Sequence, residues 1–415
     1  MRKLSLIAIG WISFFLMGLG GGSPDRPIVL AVPSHAPRDL FFCLAEMWSK
    51  FNPENPVAVV VYGRGDPFPE SDLVVVRALD FYALTRPPAW ALPRNQIPGL
   101  ESALAARGLE PLLAMLTKMG DHAFVPMAAE PLLPIYNMAT VRGSGLEASP
   151  RTCEEFMAIV KGAQAAGQWA LLVPGETDPV LGWHLFEALY LVGARGEPVI
   201  REAHPRAKGG PVSVGTLFPE EKVAVQVAAF LNDLLCRGLA HRPKTVVEGT
   251  PQDFLSRGET ASIFGRPLDI LRLGQQDSGW VFQAGLPPVP EDRAPAMFTV
   301  GFLVGFYVTS TKENLERASA VAAWLLSHDA DSIVMERVPH LLPMRDGLAT
   351  VSDLATQLQH RPELIPFAEV AAFTVPSVHF ALGPEVYHRF WYPLVRCEGS
   401  AEDLVRALRG PLSGH

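Results

Sequence analysis

Charge is scarce in this chain. Of its 415 residues 19% are Asp, Glu, Lys or Arg, and the formal net charge is −8. No stripe of clustered Lys and Arg occurs, which argues against nucleic acid as a partner, because a phosphate backbone calls for one. Cysteine is scarcer still: Cys43, Cys153, Cys236 and Cys397, with no Cys-x-x-Cys and no accompanying His spacing. That pattern speaks against a metal site, and four thiols scattered in helical stretches read as buried small hydrophobes sooner than as a disulfide pair. Also missing are Gly-x-x-x-x-Gly-Lys, Gly-x-Gly-x-x-Gly, Gly-x-Ser-x-Gly and His-Glu-x-x-His. The local marks of phosphate-loop, dinucleotide, nucleophile-elbow and zincin chemistry are therefore absent. A Ser/His/Asp triad or a pair of glycosidase carboxylates assembles from distant positions and leaves no local mark. An exported hydrolase acting on glycans accordingly stands as an alternative. No cofactor is implied.

What is present is apolar and finely divided. Hydrophobic residues make up 48% of the chain, and 38 Pro and 35 Gly are spread between periodic segments, which reads as many tight connections. The length exceeds a comfortable single core and predicts two lobes. At the N-terminus Arg2 and Lys3 precede an apolar run from Leu4 to Leu19, followed by Gly20-Gly21-Gly22-Ser23. This is the layout of a signal peptide, with cleavage near Ser23 and a periplasmic or extracellular destination. The run is also about long enough to span a bilayer, so an N-terminal membrane anchor is the alternative.

Short apolar runs at 28–32, "VAVVVY" and "SDLVVV" read as buried strands. They alternate with helical spacings such as Leu40, Leu44, Met47, Trp48 and Phe51, which implies a mainly parallel sheet covered on both faces. Residues 101–118 read as helical, and Thr152 with Glu155, and Ser310 with Glu313, as capping boxes opening helices. Residues 194–216 read as an exposed insertion, "VGFLVGFYVTS" as a strand, and Ser400-x-x-Asp403 as the start of the last helix.

In open α/β sheets ligands sit beyond the C-terminal ends of the strands. The residues just past the expected strands are Ser34 and His35, then Arg77 and Asp80, then Gly265 and Arg266. Glu130 lies in an apolar, proline-flanked stretch where an unpaired buried carboxylate would be costly. It either accepts hydrogen bonds from a ligand, or pairs with an arginine or faces solvent.

The stretch "FLSRGETASIFGRP", residues 254–267, resembles a signature of the extracellular solute-binding proteins of bacterial ABC importers, in the sugar-binding family 1 that includes maltose-binding protein. Phe254, Gly258, Ala261 and Gly265 carry the likeness. "PMAAEPLLPIYN" resembles the crossing between lobes, and "GLEASPRTCEEF" the run that follows it. The stretch from "LPPVPEDR" to "AAWLLS" resembles the return through the first lobe. "HLLPMRDG" resembles the last crossing and "SAEDLVRAL" the closing helix. The family often carries Trp where this chain has Gly265-Arg266-Pro267, so a stacking platform is either missing or replaced by the Arg266 guanidinium.

The resemblance implies an α/β two-lobe periplasmic binding protein fold of type II, each lobe a mainly parallel sheet flanked by helices, with the ligand cleft between them. It implies a signal peptide over 1–22 and first-lobe segments at 23–125 and 286–327. Second-lobe segments are implied at 126–285 and 328–415. Glu130 becomes the ligand-facing acid of the crossing, Gly265 keeps the backbone open to ligand, Trp183 stacks on a sugar ring unless it is core, and Tyr387 stands near the last aromatic position. The implied partners are a small solute, a sugar in the first instance, and the transmembrane subunits of an ABC permease. A monomer without metal, cofactor or catalysis is expected, and a sensory binding protein that does not transport is a further alternative.

Overall fold

A computed structural model describes residues 26–63, 66, 69–78, 91–176, 178–204, 213–243, 249–276, 279–289, 298–377 and 385–409. The proposed signal peptide lies outside these. In chain order the strands are β1 (Ile28–Pro33), β2 (Val57–Tyr62), β3 (Leu73–Ala78), β4 (Val125–Pro131), β5 (Leu133–Asn137), β6 (Leu171–Leu172), β7 (Ile200–His204), β8 (Ser213–Leu217), β9 (Ala240–His241), β10 (Ser262–Gly265), β11 (Phe282–Ala284), β12 (Thr299–Val308), β13 (Leu342–Pro343) and β14 (Thr374–Val375).

The first lobe is built on a seven-stranded sheet in the order β13-β4-β12-β3-β1-β2, with β14 beside β12. β2, β1 and β3 run parallel, and β12 runs against both β3 and β4. β4 therefore points the same way as β1. β1 and β3 are continuous apolar runs because both faces are covered: Leu30, Val32, Leu73 and Val75 are all buried. The second lobe has β10-β5-β11, antiparallel throughout. A parallel bridge from Trp169 to Thr260 brings β6 beside β10, and β9 pairs parallel with β6. The first sheet therefore mixes β1, β2, β3 and β4, all of one direction, with β12, β13 and β14 of the other, and in the second lobe the antiparallel β10-β5-β11 lies beside the parallel pair β6 and β9.

The two sheets are joined where β4 passes into β5 through Leu132. Its N–H donates to the Val300 carbonyl of the neighbouring β12 at 2.8 Å, so two segments run side by side at the junction. The backbone is anchored nearby by Thr299, whose hydroxyl donates to the Leu132 carbonyl at 2.6 Å.

The helical stretch 101–118 divides into two helices, Leu100–Ala105 and Glu110–Lys118, because Gly108 takes φ 67° between them. Several local expectations need correction. Ser310 does not cap a helix: its hydroxyl donates to Asp72 Oδ1 at 2.9 Å, and the helix starts at Leu315 after Asn314. Thr152 and Glu155 do form a capping box. Within 194–216, β7 and β8 form an antiparallel hairpin. The Cys236 and Cys397 sulfurs are bonded, while Cys153 is exposed and Cys43 half-buried. None of the four behaves as the buried free thiol that the spacing suggested. The bond ties the end of the Glu221–Cys236 helix to the chain after the Tyr392–Arg396 helix.

The His328–Arg337 helix and β13 pack with first-lobe elements, against the expected boundary at 328. β13 pairs with β4, and Asp331 is held from two sides. The fully buried Arg107 donates to Asp331 Oδ1 at 2.9 Å and to the carbonyls of Met127 and Met344 at 3.0 and 2.8 Å. Arg345 reaches Asp331 Oδ2 at 3.0 Å. Burial raises the Asp331 pKa above its ordinary value, and the two guanidiniums oppose that rise. The expected "Pro-x-Arg" motif ends here, in a buried ion triad.

Candidate functional site at the lobe junction

The last residues of β4 place Glu130 where the sheets meet, opposite Phe302 of β12. Glu130 is 3% exposed, so its charge needs a partner. Arg77, near the end of β3, supplies one: its Nη2 donates to Glu130 Oε1 at 2.9 Å. Arg266 approaches from the second sheet. Its Nη1 lies 4.0 Å from Glu130 Oε2, and its Nε 3.6 Å from Asp269 Oδ2. The cluster therefore joins a carboxylate of the crossing to one guanidinium from each sheet.

Phe302 is the floor of this cluster. The Arg77 and Arg266 guanidinium carbons lie 5.6 and 5.0 Å from its ring centroid, within cation–π range. His184 meets the same ring edge-on at 6.0 Å. His340, in the turn before β13, completes the surroundings. Burial lowers its pKa; Glu130 opposes the shift, and Arg77, Arg266 and Arg272 add to it. The net effect favours the uncharged imidazole.

Arg266 is positioned by the local sequence. The Pro251–Ser256 helix gives way to Arg257, Gly258 turns the chain at φ 70°, and β10 runs into Arg266 as the N-cap of the Pro267–Gly274 helix. Asp269 then accepts the Arg266 backbone N–H at 2.7 Å, which fixes where the side chain starts. Among the described residues no acceptor lies within hydrogen-bonding distance of the Arg266 guanidinium, its nearest acidic oxygens being those of Asp269 and Glu130.

The structure brings together Glu130, Arg77, Arg266 and His35, whose carbonyl accepts from Arg77 Nη1 at 3.5 Å. Ser34 is exposed next to His35 at the end of β1. Asp80 lies outside the described residues. Two expectations change. Trp183 is fully buried among Phe186, Phe390 and Phe218, with ring centroids at 5.2, 5.7 and 6.4 Å. A ring covered in this way offers no face to a solute, so it is corrected to a core residue. Gly265 is buried too, and a Cβ there would stand 2.7 Å from Ile135 Cδ1. Its missing side chain makes room for packing and does not open the backbone to a ligand. Tyr387 is half-buried beside Tyr392, with ring centroids 6.4 Å apart, in the turn of helix that ends at Trp391.

Phe302 and His340 were missed by sequence reasoning. Phe302 sits inside an apolar run that reads as core, and His340 is a lone histidine between apolar residues; neither carries a local signal. Two surface grooves lie elsewhere. One of about 740 Å³ is lined by Arg94, Glu101, Glu110, Thr117 and His122, and one of about 350 Å³ by Glu336, His360 and Arg361. Neither includes a member of the Glu130 cluster. Among the described residues no group of His, Cys, Asp and Glu is placed to hold a metal, and no helix is long and apolar enough to cross a membrane.

Solved structures share this architecture over nearly the whole chain. The Listeria monocytogenes EGD-e protein lmo0859 superposes with a TM-score of 0.76 at 16% identity, covering 94% of this chain and 100% of that one. The cyclic alpha-maltosyl-1,6-maltose binding protein of Arthrobacter globiformis gives 0.68 at 18% identity, covering 92% and 97%. UgpB of Mycobacterium tuberculosis, solved with glycerophosphocholine, gives 0.61 at 16% identity, covering 95% and 98%. No family model and no curated protein sequence matches the chain. The chain shares its two-lobe α/β fold with these binding proteins.

Proposed function

We propose that this chain is the extracytoplasmic solute-binding subunit of an ABC importer, capturing a carbohydrate or similar small polar solute by lobe closure and delivering it to a membrane permease. The observation that carries the proposal is the Arg77–Glu130–Arg266 cluster, drawn from both sheets and the crossing between them. A solute touching groups from both lobes stabilises only the arrangement in which those groups converge. The fold supports the reading, since the similar structures named for their ligands are receptors. Micromolar affinity needs about −8 kcal/mol net, within reach of a few charge-assisted hydrogen bonds.

Under this reading the binding residues are Glu130, Arg77 and Arg266, with His35 and Ser34 at the rim and Phe302 beneath. Residues 1–22 are an export leader, and the chain alternates between the lobes, with β4, β13 and β14 belonging to the first sheet. Thermal-shift and calorimetric titration of the mature protein with sugars, polyols and their phosphates tests the function, with small-angle scattering to follow closure. Saturable binding accompanied by compaction is expected. A panel member converted to product during incubation would favour the hydrolase instead.

A further inference from the structure

We propose that the solute carries an oxyanion, a phosphate ester or a carboxylate, on a small polyol or sugar frame, and that Arg77 and Arg266 hold it. This rests on the solute-receptor reading above. Each guanidinium has five N–H donors and no acceptor. Here both are part-buried, the Arg77 side chain 25% and the Arg266 side chain 31% exposed. Their donors are nevertheless almost unused. Arg77 makes one short hydrogen bond, to Glu130, and one long one at 3.5 Å to the His35 carbonyl. Its Nε is buried without a partner. Arg266 makes no side-chain hydrogen bond among the described residues, its nearest acidic oxygens being 3.6 and 4.0 Å away.

A neutral sugar offers hydroxyls that both donate and accept, and a site for it balances donors with acceptors. Among the described residues this site is rich in donors and poor in acceptors, and an oxyanion, which only accepts, is its complement. The charges agree. Among the described residues the charged groups around the cluster are Arg77, Arg266 and Arg272 against Glu130 and Asp269, with His340, whose pKa burial lowers, and His184 and His35 nearby. Asp269 is already committed to the Arg266 backbone N–H. One positive charge is left over. Phe302 keeps the floor apolar, which strengthens charge-assisted hydrogen bonds above it. Because Arg77 belongs to the first sheet and Arg266 follows a strand of the second, one oxyanion between them would hold both lobes.

The test uses matched probes on the mature protein: glycerol and sn-glycerol 3-phosphate, glucose with glucose 6-phosphate and glucuronate. Calorimetry should show at least one charged probe binding tenfold or more tighter than its neutral parent. Affinity should fall as salt is raised, since the contact is ionic. Arg266→Gln should weaken the charged probe by more than tenfold while lowering solute-free stability only slightly, because Arg266 gives up two loose ion pairs and its contact with Phe302 but no side-chain hydrogen bond among the described residues. Arg266→Lys should recover part of the loss. Phosphate against carboxylate is decided by glucose 6-phosphate against glucuronate. A neutral parent that binds as tightly as its charged partner overturns the anionic class and leaves solute capture standing. No binding and no compaction with either series overturns both readings.

Discussion

Replacing Trp183 by alanine separates a core ring from a binding ring. Trp183 is fully buried, and its ring lies 5.2 Å from Phe186, 5.7 Å from Phe390 and 6.4 Å from Phe218. Truncating a fully buried aromatic removes its transfer free energy and leaves a cavity, together about 3–5 kcal/mol. The three aromatic neighbours place the change toward the upper part of that range, since such pairs add to area burial. No hydrogen bond is lost, because Nε1 has no partner. Trp183→Phe therefore keeps most of the ring packing, removes an orphaned donor and should cost less than half as much. Urea unfolding of solute-free protein reads the loss as a shifted midpoint at constant slope. Calorimetric titration of the folded variant should find solute affinity little changed. An unshifted midpoint with affinity lost would refute the reasoning and return Trp183 to the binding surface.

Other substitutions test other contacts. Asp331→Ala strands the fully buried Arg107 guanidinium and should cost about 3–5 kcal/mol in denaturant unfolding. Cys236→Ser with Cys397→Ser opens a loop of 161 residues; chain entropy sets the loss at about 5 kcal/mol at most, and thiol alkylation of unfolded wild type should label only Cys43 and Cys153. Burial holds the folded His340 pKa below its ordinary 6.5. The unfolded chain therefore takes up a proton first, so this contribution to stability is complete above about pH 6.5 and is lost as pH falls toward the folded value. His340→Gln should flatten that part of a stability-against-pH curve.

Much of the first sheet was legible because its signals are local. Continuous apolar runs marked β1 and β3, and the Thr152–Glu155 box marked a helix start, each within a few residues. The turn at Gly258 is local in the same sense, since a positive φ falls naturally to glycine. Ser310 and Glu313 had the same local form as Thr152 and Glu155, but Asp72 competes for the Ser310 hydroxyl from 238 residues away. The boundary at 328 failed likewise, because Arg107 holds Asp331 across 224 residues.

The candidate site divides in the same way. Placement past strand ends offers Arg77, Arg266 and His35 as candidates, although Arg77 lies within β3, and a carboxylate in an apolar stretch offers Glu130. Sequence alone left open whether Glu130 met a ligand, an arginine or solvent; folding brought Arg77 to 2.9 Å from it. Trp183 and Phe302 are both aromatic residues in apolar stretches, and nothing local tells them apart. One is closed in by three phenylalanine rings and the other lies beneath two guanidiniums, because only the packed chain sets which neighbours arrive. Periodicity, caps and turns depend on the residues beside them, so the sequence by itself determined the elements. Burial, ion pairing and the Cys236–Cys397 bond depend on residues far along the chain, so the tertiary structure decided them.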